Sequence, residues 1–272
     1  MKNIALGQYY PTGSVIHRAD PRMKLILAVL FIVCTFLCKN IYSFGAILLS
    51  AVLLVVISKI PLKTVLRSIR ALMFIMIFTL VINIFMTKGE VLLFEWRFIH
   101  IYREGIVNAC FMLVRIFALI IGTSILLTYT TTPIALTDAI ESLLSPLKKI
   151  KLPIHEFAMM MTIALRFIPT LMEETEKIMA AQKARGADFT NGSLIKRAKA
   201  LIPILIPLFV SAFRRADELS VAMECRCYHG GEGRTSMRVL KYRASDFLLF
   251  LVFAALCAGL IALNMLKTPF AL

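Results

Sequence analysis

Charged residues are scarce in this chain, and their scarcity already excludes most classes of soluble protein. Asp, Glu, Lys and Arg make up 17% of the 272 residues, whereas an ordinary soluble domain has about 25%. Apolar residues reach 59%, and the mean hydropathy is +0.82. A chain this apolar neither stays solvated as a disordered polypeptide nor folds as an ordinary cytosolic globule. The class that is left is an integral membrane protein.

The components of common catalytic sites are missing as well. No zinc-protease motif, nucleophile elbow or pair of intramembrane carboxylates appears in the sequence. The glycine-rich run Gly230–Gly233 has no Lys at the Walker spacing and no preceding strand, so it is not a phosphate loop. The four histidines are scattered over loops and termini: His17, His100, His155 and His229. We therefore predict no catalytic residue and no nucleotide site in this chain.

The cysteines do not indicate a secreted disulfide framework. Those in apolar runs are expected to be free thiols that pack as small hydrophobic side chains. Cys225 and Cys227 are expected on the reducing, cytoplasmic side, and a zinc site would need about four ligands where only His229 is close. We predict no metal site. The six cysteines are Cys34, Cys38, Cys110, Cys225, Cys227 and Cys257.

Long apolar runs are what the chain has in abundance. A membrane-spanning helix needs about 17–25 mostly apolar residues. The first three candidates are short for a full span, so we expect flanking Lys and Arg side chains to reach from their ends to the membrane surface. The five stretches that meet or approach the required length are Lys24–Cys38, Ile41–Ile57, Ala71–Met86, Gly105–Leu127 and Phe247–Leu266.

The basic residues between these stretches predict their orientation. The amino-terminal segment and the second connection are basic, whereas the turn after the first stretch carries only Lys39 and the 87–104 loop balances its charges. The positive-inside rule then places the amino terminus in the cytoplasm and the carboxyl terminus, after five spans, outside. The net charge of +15 is thereby explained by topology, and we expect no nucleic-acid partner.

The middle of the chain has a different composition. Residues 128–243 hold 17 of the 31 basic and 11 of the 16 acidic residues, yet they keep long apolar stretches. We therefore predict three regions: transmembrane helices 1–4 in residues 1–128, a cytoplasmic domain of three helices in 129–243, and a last transmembrane helix in 244–272 that packs with the first region. The predicted fold is all-α, with about five transmembrane helices plus three long cytoplasmic helices.

The three cytoplasmic helices can be placed from their start and stop signals. The first opens at Pro133 and is amphipathic. The second runs from about Ile154 to Arg185, with a kink expected at Pro169. The third starts at a Ser193 cap and runs to about Arg226, broken by two prolines. The second and third both change from an apolar beginning to a charged end.

Both long helices end at an arginine-centred motif, Ala184-Arg185-Gly186 and Cys225-Arg226-Cys227. For either arginine alone a structural explanation suffices, because a cation at a helix carboxyl end complements the macrodipole by about 0.3–1 kcal/mol. Gly186 would then be an ordinary left-handed cap. Two similar helices that end alike favour docking into two equivalent pockets of a dimeric or pseudo-dimeric partner, where the planar guanidinium satisfies several acceptors.

Two further features each allow two interpretations. Arg115 lies near the middle of the fourth apolar run, where a charge costs about 2.5–3.5 kcal/mol. We expect it to tie helices together through backbone carbonyls or Asn83, with binding of an anion as the alternative. The cluster Met159-Met160-Met161 either fills a core or forms an adaptable surface for different partners.

The order of these elements resembles the transmembrane T component of energy-coupling factor (ECF) transporters. The resemblance covers nearly the whole chain, and its motifs are individually modest and jointly specific. The matching stretches are Asp20–Lys24, Tyr129–Pro133, Leu165–Thr170, Ala181–Ala187 and Ala222–Tyr228.

The resemblance implies a non-catalytic, α-helical scaffold in a prokaryotic plasma membrane. Its two arginine motifs would dock in grooves of two ATP-binding-cassette (ABC) ATPase subunits, which hold the ATP and Mg while this chain binds no cofactor. The surface with Met159, Met160 and Met161 would hold a small membrane protein, the S component, which captures a vitamin or metal ion. Cys225 and Cys227 depart from the usual Ala and Gly, and Cys227 argues against a glycine-type helix end.

Several alternatives stay open at this point. The tail Gly230–Thr235 resembles T components that several vitamin S components share, whereas a dedicated cobalt or nickel importer is the nearest alternative. From another class, the chain is a membrane enzyme or an autonomous transporter with its own substrate site, in which case no ATPase copurifies with it. The sequence does not identify the solute, the number of S components or whether the two ATPases are identical.

The predicted topology can be tested by tag accessibility in intact cells. A carboxyl-terminal tag should be inaccessible from the cytoplasm, whereas a tag in the Asn191-Gly192 loop should be accessible, because an odd number of spans separates the chain ends. The reverse labelling pattern would contradict the topology.

Overall fold

The computed structural model describes residues 9–87, 89, 91–96, 99–150, 152–189, 193–230 and 240–265. Leu266, the Asn191-Gly192 loop and the tail from Gly231 to Thr235 lie outside this part. Internal contacts divide the chain into two units, Met1–Ala139 with Val239–Leu272, and Ile140–Arg238. This division falls about ten residues after the predicted 128/129 boundary, and the cytoplasmic location of the middle region stays a prediction.

The described part is helical apart from one short hairpin, which confirms an all-α integral membrane protein. The antiparallel hairpin lies in the 87–104 loop, where no strand was predicted. Along the chain the elements are α1 (Val15–Arg18), α2 (Pro21–Leu37), α3 (Ile41–Ser58), α4 (Leu62–Met86), β1 (Leu92–Trp96), β2 (Ile99–Tyr102), α5 (Arg103–Thr123), a π-helix (Ser124–Tyr129), α6 (Pro133–Leu144), a 3-10 helix (Ser145–Ile150), α7 (Ile154–Ala184), α8 (Leu194–Glu224) and α9 (Ala244–Asn264).

In the part of the chain that the structure describes, four helices are long and apolar enough to cross a membrane, namely α3, α5 with its π-helical extension, α7 and α9. A fifth candidate is α4, whose halves Leu62–Arg70 and Leu72–Met86 meet at 56°. Helix α2 has 17 residues, at the lower limit of about 17 for a span. Helix α7 qualifies although we predicted it to be cytoplasmic, because its first half is apolar; its location stays a prediction.

The start of α2 is fixed by a hydrogen-bonded cap, as the sequence predicts. The Asp20 carboxylate accepts a hydrogen bond from the Arg22 N–H at 2.9 Å, and Pro21 occupies the first helical position. The Asp246 carboxylate, at the start of α9, accepts one bond from the Asp20 N–H at 3.1 Å and another from the Arg243 N–H at 2.8 Å. The buried Asp246 carboxylate thus joins the starts of α2 and α9, because it accepts a hydrogen bond from a backbone N–H group at each of them.

Lys24 extends this polar network to the chain that enters α6. Its side chain is 2% exposed, and its Nζ donates to the His17 carbonyl at 3.1 Å and to the Thr130 carbonyl at 2.8 Å. Thr130 follows the π-helix directly. The buried ammonium therefore links α1, α2 and the residues that lead from α5 into α6, and its hydrogen bonds offset the cost of burying a charge.

The neutral form of His17 is favoured at the edge of this network. Its Nε2 lies 2.7 Å from the Tyr10 carbonyl, so Nε2 carries the donated hydrogen, and the Ser14 hydroxyl lies 2.7 Å from Nδ1. Burial lowers the pKa of His17, and the nearby Lys24 cation lowers it further, while the hydrogen bond to Tyr10 acts in the opposite direction. The neutral ring can satisfy both neighbours, since one ring nitrogen donates and the other accepts.

The opposite ends of α2 and α9 are joined by backbone and amide groups. The Asn264 side chain donates to the Leu37 carbonyl at 2.6 Å and accepts from the Lys39 N–H at 3.1 Å. Arg115, on α5, donates to the Cys38 carbonyl at 3.0 Å and lies 5.3 Å from the centre of the Phe44 ring. The prediction that Arg115 ties helices together through a backbone carbonyl is confirmed, and the carbonyl belongs to the end of α2.

The expectation of free thiols in the apolar runs is wrong for Cys34 and Cys257, which form a disulfide between α2 and α9. Their Cα atoms are 6.1 Å apart, within the range that a disulfide bridges. Sequence reasoning missed the pair because the two residues are 223 positions apart and only helix packing brings them together. Cys38, Cys110, Cys225 and Cys227 are free thiols.

In the second unit the two long helices continue through their prolines. Helix α7 runs through Pro169, and α8 runs through Pro203 and Pro207, so the predicted interruption of α8 is wrong. Each proline removes one intrahelical hydrogen bond, but the helix is continuous on both sides of it. The Ser193 cap is confirmed, since its hydroxyl accepts from the Lys196 N–H at 3.4 Å. Helix α6 has only 12 residues. Of the three long helices that the sequence predicts in this region, only α7 and α8 are long in the described part.

A close contact between α5 and α2 gives a test of this packing. A Cβ atom added at Gly122 would lie 2.1 Å from the ring of Phe31, which is fully buried. We expect Gly122→Ala to destabilise the protein by about 1–3 kcal/mol, because the ring has no room to move. Thermal unfolding in detergent measures the effect.

The control is Gly45→Ala on α3, where an added Cβ would meet nothing within 4 Å. Alanine favours a helix over glycine by about 0.8–1 kcal/mol, so this variant should lose no stability. Equal unfolding temperatures for the two variants would contradict the packing.

Candidate docking site at two helix ends

The first arginine motif closes α7 with a left-handed turn. The Ala187 N–H donates to the Gln182 carbonyl at 3.0 Å, and the Gly186 N–H donates to the Lys183 carbonyl at 3.0 Å. Gly186 has φ +87°. This pair of hydrogen bonds around a left-handed residue is the Schellman motif, which satisfies carbonyls that the helix end would otherwise leave unpaired.

The second motif closes α8 in the same way. The Tyr228 N–H donates to the Met223 carbonyl at 3.1 Å, and the Cys227 N–H donates to the Glu224 carbonyl at 2.9 Å. Cys227 occupies the left-handed position with φ 54°. The arginine precedes the left-handed residue in both motifs, so the two helix ends have matching backbones.

The inference that Cys227 argues against a glycine-type helix end is wrong. A residue with a Cβ costs about 1–2 kcal/mol in the left-handed conformation. At Cys227 the two Schellman hydrogen bonds form nevertheless. The helix end is therefore specified by its hydrogen bonds, and glycine is favoured at that position without being required.

Both motifs present their side chains to the surroundings. Among the described residues neither Arg185 nor Arg226 forms a salt bridge, and both side chains are exposed. All six predicted docking residues are exposed: Ala184, Arg185, Gly186, Cys225, Arg226 and Cys227.

Helices α7 and α8 contact each other away from the first motif. The Arg215 guanidinium donates to the Glu174 carboxylate at 3.1 Å, and both side chains are partly exposed. A solvent-exposed ion pair contributes little to stability, because water and salt screen it. The Glu174–Arg215 pair joins α7 and α8 at one place. It does not hold the two helix ends.

The three methionines of the Met159-Met160-Met161 cluster lie in two different environments. Met159 lines a pocket with Met223, Arg226 and Cys227 at the end of α8. Met160 and Met161 are 57% and 41% exposed. The structure thus brings one of the three predicted S-component residues to the second arginine motif and leaves the other two on an open surface.

This contact also places the two motifs far apart. Met159 lies beside the second motif, whereas Arg185 ends the same helix 26 residues later. At 1.5 Å per residue, about 40 Å of helix separates them. The two arginines therefore do not form one site, and a partner that binds both must offer two separate grooves.

Sequence reasoning missed four residues of the second site. The pocket is also lined by Met223, Tyr228, His229 and Gly230. The only signal in the sequence was that these four residues lie close to Arg226 along the chain. The α7 side of the pocket is formed by tertiary contact, which a single sequence does not show. Among the described residues no group of three or more His, Cys, Asp or Glu side chains is placed to hold a metal ion.

Substitutions at the left-handed position test the helix-end geometry. Cys227→Val should destabilise the end of α8 by about 1–2 kcal/mol, because a β-branched side chain fits this conformation poorly. Cys227→Gly should keep or strengthen it. Hydrogen exchange of the Cys227 and Tyr228 amides measures the effect, and unchanged protection in the valine variant would contradict the assignment.

Comparison with known proteins agrees with this architecture. Residues 12–237 match the family model CbiQ, described as cobalt transport protein. The energy-coupling factor transporter transmembrane protein EcfT of Ruminiclostridium cellulolyticum is 55% identical over 249 residues, covering 92% of this chain and 92% of that protein. The protein of the same name from Clostridium kluyveri is 51% identical over 259 residues, covering 95% and 94%.

A third relative is the EcfT of Bacillus subtilis, 48% identical over 246 residues that cover 90% of this chain and 92% of that protein. The match to the family model includes both arginine motifs. The chain therefore belongs to the CbiQ/EcfT family, the transmembrane T components of energy-coupling factor transporters.

Proposed function

We propose that this chain is the energy-coupling scaffold of an ATP-driven importer for a vitamin or another micronutrient, linking two ABC ATPase subunits to an S component. The observation that carries the proposal is the pair of matching helix ends. Two long helices close with the same left-handed turn, and each presents an exposed arginine immediately before that turn.

The separation of the motifs supports a partner built from two similar subunits. Each arginine offers five N–H donors in a fixed plane and stays charged at any physiological pH. Two grooves separated by the length of a helix suit a dimer better than a single small protein does. Whether the dimer consists of identical subunits depends on the partner chains.

The chemistry of ATP hydrolysis belongs to the partners in this proposal. The relatives are named as transmembrane proteins of a transporter, which agrees with a non-catalytic subunit. ATP and Mg would be held by the ATPase chains, and this chain would transmit their closure through α7 and α8. No cofactor is assigned to this chain.

The S component would bind the apolar surface of α7 that carries Met160 and Met161. Both side chains are exposed, and flexible thioethers adapt to partners of different shape. A surface of this kind favours a scaffold that several S components share. The role of Met159 differs, since it lies beside the second arginine motif.

The family model's description favours a cobalt importer as the second candidate. The relatives that carry the name EcfT favour the shared, vitamin-type scaffold. The two candidates differ in the small membrane protein that accompanies the chain, so copurification from native membranes and its identification by mass spectrometry distinguish them.

The proposed location is a prokaryotic plasma membrane. The amino terminus and the ends of α7 and α8 would lie in the cytoplasm, where ATP is present, and the carboxyl terminus would lie outside. The excess of Lys and Arg in the predicted cytoplasmic segments supports this orientation.

Reversing both docking charges tests the proposal. Arg185→Glu together with Arg226→Glu should leave membrane insertion intact and abolish ATPase association and uptake, because each groove would meet a carboxylate in place of a guanidinium. Pull-down of the ATPase subunits and radiolabelled substrate uptake measure the two effects.

The matched control is Lys177→Glu together with Arg214→Glu, which changes the net charge equally on exposed residues of the same two helices. This variant should keep most of the ATPase association. Full transport by the Arg185/Arg226 variant would refute the docking role, whereas equal losses in both variants would indicate a general charge effect.

A further inference from the structure

A groove lined by apolar residues runs between α3 and α5. Its larger part has a volume of about 300 Å³ and lies between Gly45 and Leu48 of α3 and Cys110 and Phe111 of α5. A second cavity of about 220 Å³ shares Ile41, Cys110 and Phe111 with it and continues toward the beginning of α5. The larger part holds the volume of about ten water molecules. Since a methylene group is about as large as a water molecule, a stretch of hydrocarbon chain fits there.

The surroundings of the groove supply hydrocarbon. Both helices are long and apolar enough to cross a membrane, and Gly45, Leu48 and Cys110 are exposed along its opening. The lining offers no strong hydrogen-bonding side chain to hold water. An empty groove would forfeit dispersion contacts on its open side. The lining therefore selects an apolar occupant from the membrane.

Two cations lie at the end of the groove where α3 begins. The Arg115 guanidinium donates to the Cys38 carbonyl at 3.0 Å and lies 5.3 Å from the centre of the Phe44 ring, which belongs to the groove wall. The Cys38 carbonyl is part of the peptide bond to Lys39, and the exposed Lys39 precedes Ile41 by two residues. Among the described residues neither cation forms a salt bridge. This end of the groove therefore carries positive charge that attracts an anion.

We propose that the groove binds one phospholipid with an anionic headgroup. An acyl chain lies along Gly45 and Leu48, and the headgroup phosphate meets Arg115 and Lys39. The bond to Cys38 uses one of the five N–H donors of the guanidinium, and guanidinium groups pair with phosphate through parallel hydrogen bonds. The lipid belongs to the leaflet at the carboxyl end of α2, which is the outer leaflet in the predicted topology. This inference goes beyond the proposed function and involves neither an ATPase nor an S component.

The shape of the groove favours a lipid chain over a helix of another protein. A helix is about 10–12 Å wide with its side chains, so it would rest on the opening and insert only single side chains. A Cβ atom added at Gly45 would meet nothing within 4 Å. The missing side chain at Gly45 thus keeps the middle of the groove open for a narrow chain.

Filling the groove tests the inference. Gly45→Leu should lower the retention of phosphatidylglycerol by the purified full-length chain about fivefold or more, because the new side chain occupies the place of the acyl chain. The matched control is Gly259→Leu on α9, where an added Cβ also meets nothing within 4 Å, and it should change retention less than about twofold. Native mass spectrometry from micelles with equal phosphatidylglycerol and phosphatidylcholine counts the retained lipids. Thermal unfolding in detergent checks that each variant folds.

Removing a cation tests the headgroup contact. Lys39→Gln should lower the preference for phosphatidylglycerol over phosphatidylcholine about fivefold, because a basic residue near the membrane surface attracts an anionic headgroup. Lys59→Gln removes an exposed charge at the opposite end of α3 and should change the preference less than about twofold. Inorganic phosphate at millimolar concentration should not displace the lipid, because it lacks the acyl chain. No ATPase enters these measurements, so their failure leaves the proposed function unaffected.

Four outcomes would overturn the inference. The first is a wild-type chain that retains no phosphatidylglycerol or retains both lipids equally. The second is equal losses in the Gly45 and Gly259 variants, which would indicate general contact with lipid. The third is displacement by phosphate alone. The fourth is a benzophenone at Cys110, with Cys225 and Cys227 replaced by Ser, that captures a protein and no lipid in native membranes, since the groove would then belong to a protein partner.

Discussion

The first unit depends on one buried cation, the Lys24 ammonium, which donates hydrogen bonds to two backbone carbonyls. Lys24 is 2% exposed and donates to His17 and Thr130. A buried ammonium without partners would cost several kcal/mol or lose its proton, so these bonds fix where the chain on either side must lie. One of them holds the segment before α2, and the other holds the residues between the π-helix and α6. The polar contacts at Lys24 therefore hold the segment before α2 beside the residues that connect the π-helix to α6.

The same rule applies at the other helix ends of this unit. Asp246 accepts backbone hydrogen bonds from two segments, and Asn264 and Arg115 satisfy carbonyls at the carboxyl end of α2. In an apolar solvent an unpaired backbone group costs several kcal/mol, and lipid supplies no substitute for water. Exposed apolar side chains of the spans are interchangeable by comparison, unlike the close contact between Phe31 and Gly122. The specific information in the first unit is thus concentrated in a few polar residues near the ends of its helices.

The sequence predicted the features that depend on interactions between neighbouring residues, and it missed those that depend on tertiary contacts. The Asp20-Pro21 start, the Ser193 cap and the ends of α7 and α8 were predictable, because caps and apolar runs act over a few residues. The prolines of α8 were misjudged, since local propensity predicts a break where the helix continues. The Cys34–Cys257 pair and the Met159 pocket depend on which helices pack together, and a single sequence does not contain that contact. For the candidate site, the arginines could be found from repetition, and Met223 and Tyr228 lie near Arg226 along the chain, whereas the position of Met159 beside Arg226 could not be found.

The difference between the two helix ends bears on how a scaffold passes force. In the first motif Gly186 takes the left-handed position at no steric cost, whereas the second motif reaches the same backbone with Cys227, and α7 forms one side of the pocket beside it. A subunit that held Arg226 alone would pull on α8, and α7 would follow only through contacts such as the partly exposed Glu174–Arg215 pair. The pocket beside Arg226 also includes Met159 of α7, one residue before the exposed Met160. In the proposed transporter, movement of the ATPase at the second motif would then reach the S-component surface within a single helical turn of α7, without passing through the length of either helix.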